Sequence, residues 1–415
     1  MIQFERFILG NGLRVLVHED RTTPLVAMNI LYDVGSKDEN PDKTGFAHLF
    51  EHLMFGGSVH IPKYDEPLEN AGGQNNAFTT EDITSYYLTV PAQNIETGFW
   101  LESDRMLGLA FSDESLNVQR NVVIEEFRQR YLNQPYGDTW LLLRPHVFKV
   151  HPYRWDTIGM DISHIEKATM DDVKQFYAGY YHPGNAIMVI AGNTSAGHVK
   201  ELAEKWFASI PPGKQVHRNL PAEPAQESIR TLSVTRDVPY DMIIKAYKIC
   251  SRTHGDFYAL DLITEILSAG NSSRFYNNLV KKKKLFSEID AFLTGELDGG
   301  MFVISGKLVD GADIPAAEAG IREEITGMVS ETALPEEMEK VKNKAEAAKI
   351  FREINVLNKA INLAYYELMG DAGMINREVE KYLALTADDI MKTGATYLKD
   401  ENCCVLYYRT GKNHK

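Results

Sequence analysis

The chain has 415 residues, enough for two or three domains that each bury a core, and its 44% hydrophobic and 25% charged residues are the balance of an ordinary soluble globular protein. A formal net charge of −14 argues against a nucleic-acid binder, which would carry a basic face. Cys250, Cys403 and Cys404 are an odd number without CxxC spacing, so they read as small hydrophobes of a reducing compartment rather than as a disulfide framework or zinc ligands.

The first ten residues lack the basic segment followed by an apolar one that marks a secretory leader. No apolar run approaches bilayer-spanning length, so a cytoplasmic chain without a membrane span is expected. Residues 4–18 alternate around Asn11-Gly12, with Phe4, Phe7 and Leu9 before the pair and Leu13, Val15 and Val17 after it, which predicts a β-hairpin. Residues 26–32 form a further apolar strand, and the polar stretch 33–43 is a loop leading into the next element.

That element, residues 45–57, reads as one amphipathic helix stopped by Gly56-Gly57. His48 and His52 stand at i and i+4, so both imidazoles project from one face, which Glu51 shares. Two His at this spacing can hold one Zn2+, and a carboxylate beside them can work on water at the metal. The order H-x-x-E-H inverts the commoner H-E-x-x-H and is a zinc-peptidase signature. Phe46, Leu49, Phe50, Leu53, Met54 and Phe55 surround the three polar residues. Ionisable groups on a largely buried helix need partners, and a metal supplies them.

A short helix ends near residues 71–73, and residues 76–91 follow as strand, the second half rich in Thr, Tyr and Val. The first half, from Asn76, is a candidate edge strand able to pair with a peptide. Residues 93–109 and 113–131 read as helices. In the second, Glu125 and Glu126 are both candidates for a third zinc ligand; helical-wheel spacing favours Glu126 by about two to one, since it lies beside Val122 and Val123. Residues 137–155 are aromatic and irregular, 171–181 helical, 186–191 a strand and 201–209 helical. The Pro-rich polar stretch 211–224 is the best linker in the chain. Residues 335–369 read as one long amphipathic helix with Met338, Val341, Ala345, Phe351 and Ile354 inward, stopped by Gly370. His146, His151, His164 and His182 lack metal spacing, and His60, close to the motif, follows the glycine break and has no assigned role.

The second half echoes the first. Thr169, Tyr180, Asn185 and the strand from Ala186 recur 217 positions later as Thr386, Tyr397, Asn402 and the strand from Cys403. The segment LFEHLMFGG from Leu49 resembles LITEILSAG from Leu262, 213 positions later. This is two copies of one domain rather than a solenoid. In the second copy the positions of His48, Glu51 and His52 hold Asp261, Thr264 and Glu265, so the helix is duplicated without the metal chemistry.

Together these features resemble the pitrilysin/insulinase-like zinc metallopeptidases, in the short form of bacterial members and mitochondrial processing peptidase subunits. The resemblance spans most of the chain. It rests on Tyr32, Gly35-Ser36, the run from Gly45 to His52 with Phe55 and Gly57, and Gly72-Gly73 with Asn76-Ala77-Phe78-Thr79. It continues with Arg120 and Glu126, Pro135-Tyr136-Gly137, and Tyr180-Tyr181 with Pro183 and Asn185.

The resemblance implies an α+β fold of two homologous α/β domains, each a mainly antiparallel sheet backed by helices, forming half of a clamshell. The corresponding division is 1–212 for the catalytic domain, 213–228 for the linker and 229–415 for the non-catalytic copy. It also implies that His48, His52 and Glu126 bind zinc and that Glu51 is the general base. The family's glutamate ligand stands six residues after an arginine, so Arg120 selects Glu126 over Glu125. Asn76, Ala77, Phe78 and Thr79 would form the strand that pairs with an extended peptide substrate. Two positions depart from the family. Gln119 replaces a second glutamate found in some members. Val280 and Ser287 stand where self-sufficient members carry an Arg and a Tyr that grip the substrate. The expectation is therefore a zinc endopeptidase whose missing grip comes from a related subunit, in a heterodimer or homodimer, with no nucleic-acid partner. The rival reading is a non-catalytic structural or peptide-binding subunit.

Overall fold

The computed structural model describes residues 1–411. The chain separates into two compact units. The first contains strands β1 (Glu5–Ile8), β2 (Arg14–Glu19), β3 (Leu25–Tyr32), β4 (Gln74–Thr79), β5 (Thr84–Pro91) and β6 (Ala186–Gly192), in the sheet order β1-β2-β6-β3-β5-β4. Neighbours are antiparallel except β2 and β6. The Asn11-Gly12 hairpin forms as expected, with Glu5 opposite Val17. The sheet of the second unit holds β7 (Arg230–Arg236), β8 (Met242–Lys248), β9 (Phe286–Leu293), β10 (Met301–Leu308) and β11 (Cys403–Thr410), in the order β7-β11-β8-β10-β9.

The helices, in chain order, are α1 (Phe46–Leu53), α2 (Asp65–Asn70), α3 (Ile95–Leu107), α4 (Asp113–Phe127), α5 (Thr139–Val147), α6 (Ile162–Glu166), α7 (Met170–Tyr180), α8 (Ala196–Phe207), α9 (Asp256–Ser268), α10 (Ile314–Ser330), α11 (Pro335–Arg352), α12 (Val356–Leu368), α13 (Met374–Ala384) and α14 (Ala387–Tyr397). None is long and apolar enough to cross a membrane.

The duplication read from the sequence is present strand by strand. The run β2-β6-β3-β5-β4 matches β7-β11-β8-β10-β9, with the single parallel pair in the same place. The local chemistry repeats as well. Thr169 and Asp172 form a capping box on α7, and Thr386 and Asp389 form one on α14. Asn185 donates to the carbonyls of Tyr180 and Asp33, and Asn402 to those of Tyr397 and Lys248. In the copy, the positions of the metal motif have structural roles. Asp261 accepts from the Tyr382 hydroxyl at 2.7 Å, the Thr264 hydroxyl donates to the Asp261 carbonyl, and Glu265 pairs with Lys344.

Three expectations need correction. The contiguous division into 1–212, 213–228 and 229–415 is crossed twice: residues 130–154 belong to the second unit and 350–377 to the first. Residues 137–155, expected to be irregular, contain α5. Its Leu143 and Val147 pack with Met242, Ile244, Val303 and Leu406 on one face of the second sheet. The single helix expected over 335–369 is two. α11 inserts Met338 and Val341 into the other core of the second unit. Asn355 then caps α12 through the Leu357 N–H, and Val356, Ala360, Leu363 and Ala364 cover Leu16, Ala27, Leu31, Ile187 and Val189 of the first sheet. Phe351 and Ile354, expected inward, are exposed at 71% and 69%.

The exchange has a physical cause. The middle strands of both sheets are buried on both faces, β6 along its whole length, so each sheet needs helices on two sides. The start of α5, Thr139, lies 217 positions before the start of α12, Val356: the same repeat element covers the second sheet in one copy and the first sheet in the other. Residues 211–227 carry no regular structure, but they are anchored. Arg218 pairs with Asp33 and Asp38, and Glu223 accepts the N–H groups of Lys149, Val150 and His151.

Candidate metal centre

Helix α1 is shorter than its sequence pattern, ending at Leu53 with Met54 as cap. Its start is fixed from outside. Gly45 adopts φ +89°, and a Cβ there would sit 2.7 Å from the Ile158 carbonyl oxygen. The buried Glu39 carboxylate accepts the Gly45 and Ala47 N–H groups at 2.9 and 2.8 Å, satisfying two of the donors a helix leaves open at its first turn. Burial pushes the Glu39 carboxyl well up from its ordinary pKa, against the pull of those two donors. Nothing in the sequence marks Glu39; a carboxylate six residues ahead of the Gly45 cap leaves no periodic signal.

The apolar side of α1 is held by rings. Phe50 lies 5.1 Å from both Phe176 and Tyr181 between centroids, and the Tyr86 hydroxyl donates to the Phe50 carbonyl. On the polar side stand His48, Glu51 and His52, as the spacing predicts. At its C-terminal end, Gly56 allows α4 to approach: a Cβ there would lie 2.5 Å from Ser115 Oγ. α4 is capped by Ser112 and fastened by Arg120, whose guanidinium donates to the Ala168 carbonyl and to Asn117. The arginine of the motif therefore has a physical role, since it sets the rotation of the helix that carries Glu126.

The two adjacent glutamates part company. Glu125 is 57% exposed and pairs with Arg128 at 2.5 Å. Glu126 is 16% exposed, and its Oε2 lies 3.7 Å from His48 Nε2 and 3.4 Å from His52 Nε2. The His rings are 4.9 Å apart and nearly perpendicular. Among the described residues, these three form the one cluster of three or more His, Cys, Asp or Glu whose ligand atoms converge, all within 4.8 Å of one another. Two ligand atoms bound ~2.1 Å from one tetrahedral zinc stand ~3.4 Å apart, so the donor set and its spacing fit that ion.

Glu51 lies on the same face and accepts the Thr79 hydroxyl at 2.7 Å. Close by, burial first and the Glu51 carboxylate second raise the Tyr87 phenol above its ordinary pKa. Thr79 ends β4, the outermost strand of its sheet, and no strand pairs with its other side among the described residues. Ala77 is buried, and its N–H is taken by Asn76 Oδ1 at 2.8 Å rather than by β5. Phe78 turns to the opposite sheet face, where it meets the core under α12. The four residues of the expected substrate strand therefore share an edge, while their side chains face two ways.

The positions of the missing grip are occupied structurally. Val280 packs against the core of the second unit, and the Ser287 hydroxyl donates to the Lys307 carbonyl. Arg274 is held by a bidentate pair with Glu337, both bonds at 2.7 Å. Lys281 to Lys284 are exposed, and Lys283 pairs with Glu323, as expected of a solvated face.

Two models of one family match the chain: "Insulinase (Peptidase family M16)" over residues 14–136 and "Peptidase M16 inactive domain" over residues 167–345. The zinc protease PqqE of Helicobacter pylori is 29% identical over 98% of this chain and 92% of its own. A crystal structure of a protease from Helicobacter pylori superposes with a TM-score of 0.92 at 27% identity, covering 99% of this chain and all of that one. Pitrilysin shares the fold, with a TM-score of 0.79 at 19% identity, over all of this chain and 45% of its own.

Proposed function

The chain belongs to the pitrilysin/insulinase-like peptidases of family M16, and from that premise we propose that it is a zinc-dependent endopeptidase acting on extended or unfolded peptides. The observation that carries the reading is the convergence of His48, His52 and Glu126 at zinc spacing with Glu51 beside them. His48, His52 and Glu126 hold the ion; bound zinc supplies a Lewis acid for the scissile carbonyl and lowers the pKa of water beside it. Glu51 accepts the proton of the attacking water and returns it to the leaving amine, so the carboxylate ends the cycle as it began. The edge of β4 takes the substrate backbone as an added strand, which requires an extended chain.

The grip absent at Val280 and Ser287 is supplied by a related subunit closing on this one as the other half of a clamshell. The chain matching less than half of pitrilysin supports that assignment. The same two positions, with the second half's likeness to an inactive domain, favour a second reading: a subunit that binds peptides without cutting them.

One experiment separates the two. The purified chain, alone and with a related subunit, is assayed on a fluorogenic peptide library with and without a chelator, alongside metal analysis. Glu51→Gln is expected to keep one zinc per chain and to lose ~10²–10⁴-fold in turnover, the usual contribution of a general base. A zinc-loaded wild type that binds peptides and cuts none, with or without the partner, would establish the second reading.

A further inference from the structure

Antiparallel pairing of β4 with β5 sets which groups of the edge are available. Thr80 N–H bonds the Ile83 carbonyl at the turn, and Ala77 N–H bonds the Asn76 side chain, so the backbones of Asn75, Ala77 and Thr79 face away from β5. Side chains alternate with the same period of two. Asn75 reaches Asp65, Ala77 is buried, and Thr79 points at α1, whereas Phe78 lies on the far face. Thr79 thus offers its backbone to an added strand while its hydroxyl donates to Glu51 Oε2 at 2.7 Å.

Resting on the peptidase reading, we propose that Thr79 is a positioning residue for Glu51, and that it couples docking of a peptide on β4 to alignment of the proton acceptor. A glutamate side chain has three rotatable bonds, and one short bond from a hydroxyl to its carboxylate selects among its rotamers. The donor is anchored in a strand. A peptide paired with the Thr79 backbone stiffens that strand, and the hydroxyl transmits the restraint to Glu51 on α1. Substrate and base are then held by the same residue, so the carboxylate is aligned when the peptide is seated.

The test uses Thr79→Val, which keeps the β-branched shape and removes the donor, with Thr79→Ser, which restores it. In the zinc-loaded enzyme with its partner, Thr79→Val is expected to lower kcat ~10–100-fold with KM within about twofold, since a displacement near 1 Å at a reacting group costs on the order of 10²-fold. Thr79→Ser is expected within a few-fold of wild type, and all three are expected to bind one zinc per chain. Crystal structures of the metal-free proteins give a readout independent of activity: the Glu51 carboxylate moves in Thr79→Val and returns in Thr79→Ser. Unchanged kcat, a loss confined to KM, a Ser variant as impaired as Val, or an unmoved carboxylate would each overturn the proposal. A wild type without hydrolysis would instead overturn the peptidase reading.

Discussion

Replacing Arg105 by leucine removes one partner of an ion pair that is about as dry as a protein interior allows. Arg105 and Glu102 are each 1% exposed and meet through two bonds, Nε to Oε2 at 2.8 Å and Nη2 to Oε1 at 2.6 Å. The Tyr64 hydroxyl donates to the same carboxylate at 2.5 Å, and the guanidinium lies 5.3, 4.6 and 4.5 Å from the ring centres of Phe55, Tyr64 and Tyr86. Burial works against the charge on Arg105, but Glu102 and the surrounding tyrosines outweigh it and raise its pKa. Arg105→Leu leaves the Glu102 carboxylate buried with only Tyr64, which costs ~3–5 kcal/mol. Glu102→Leu costs less, because three ring faces still stabilise the desolvated cation by ~2 kcal/mol. Replacing both removes both charges and costs little more than the lost Tyr64 hydrogen bond, ~1 kcal/mol. The coupling between the two sites is therefore at least ~3 kcal/mol. Urea unfolding followed by tryptophan fluorescence reads it directly, since Trp100, Trp155 and Trp206 lie in the first unit. A double variant whose cost equals the sum of the two singles would refute the reasoning.

Two further expectations concern the segment exchanged into the first unit. Asp20 pairs with Lys359 of α12 at 2.7 Å, and this hydrogen bond, followed by that from Thr22, holds the Asp20 carboxyl well below the usual carboxylate range. Its folded pKa lies below its unfolded one, so the stabilisation, ~1 kcal/mol for a pair of this kind, is fully present above about pH 4 and is lost as pH falls below it. The difference in urea midpoint between wild type and Lys359→Met is expected to shrink between pH 5 and pH 2; a constant difference would contradict the pairing. A chain ending at residue 221 lacks α12, and uncovers Leu16, Ala27, Leu31, Ile187 and Val189. With ~1.5–3 kcal/mol for each large apolar side chain, the loss approaches the whole ~5–15 kcal/mol stability of a domain. That fragment is expected to bind a hydrophobic dye and to unfold without cooperativity, and a soluble, cooperatively folding fragment would show that α12 is dispensable.

The zinc motif and the repeat were legible because each rests on short-range regularity. His48, Glu51 and His52 needed only the 3.6-residue period of one helix. Thr169 and Thr386, or Asn185 and Asn402, could be aligned because capping and turn chemistry is local and recurs with its residues. The hairpin at Asn11-Gly12 formed for the same reason. The errors came where local pattern leaves the partner unspecified. The apolar period of 335–369 continues through Asn355, yet Met338 and Val356 are buried in different units. α5 gives no clear helical signal because Pro145 interrupts it and aromatic residues flank it, and its helix is secured by the sheet face it covers.

For the site, the amino-acid sequence alone determined which helix carries the two histidines and the glutamate base candidate, because residues one turn apart are neighbours whatever the rest of the chain does. The choice between Glu125 and Glu126 stood at a modest preference from spacing, strengthened by family resemblance. Only the tertiary structure decided which glutamate faces the histidines, through Arg120 gripping the Ala168 carbonyl and Gly56 admitting Ser115. It alone brought Glu39 to the start of α1 and Thr79 to Glu51, contacts 8 and 28 positions apart in sequence. Such contacts are set by how a helix packs on a sheet edge, and that packing is a property of the folded surfaces rather than of any local period.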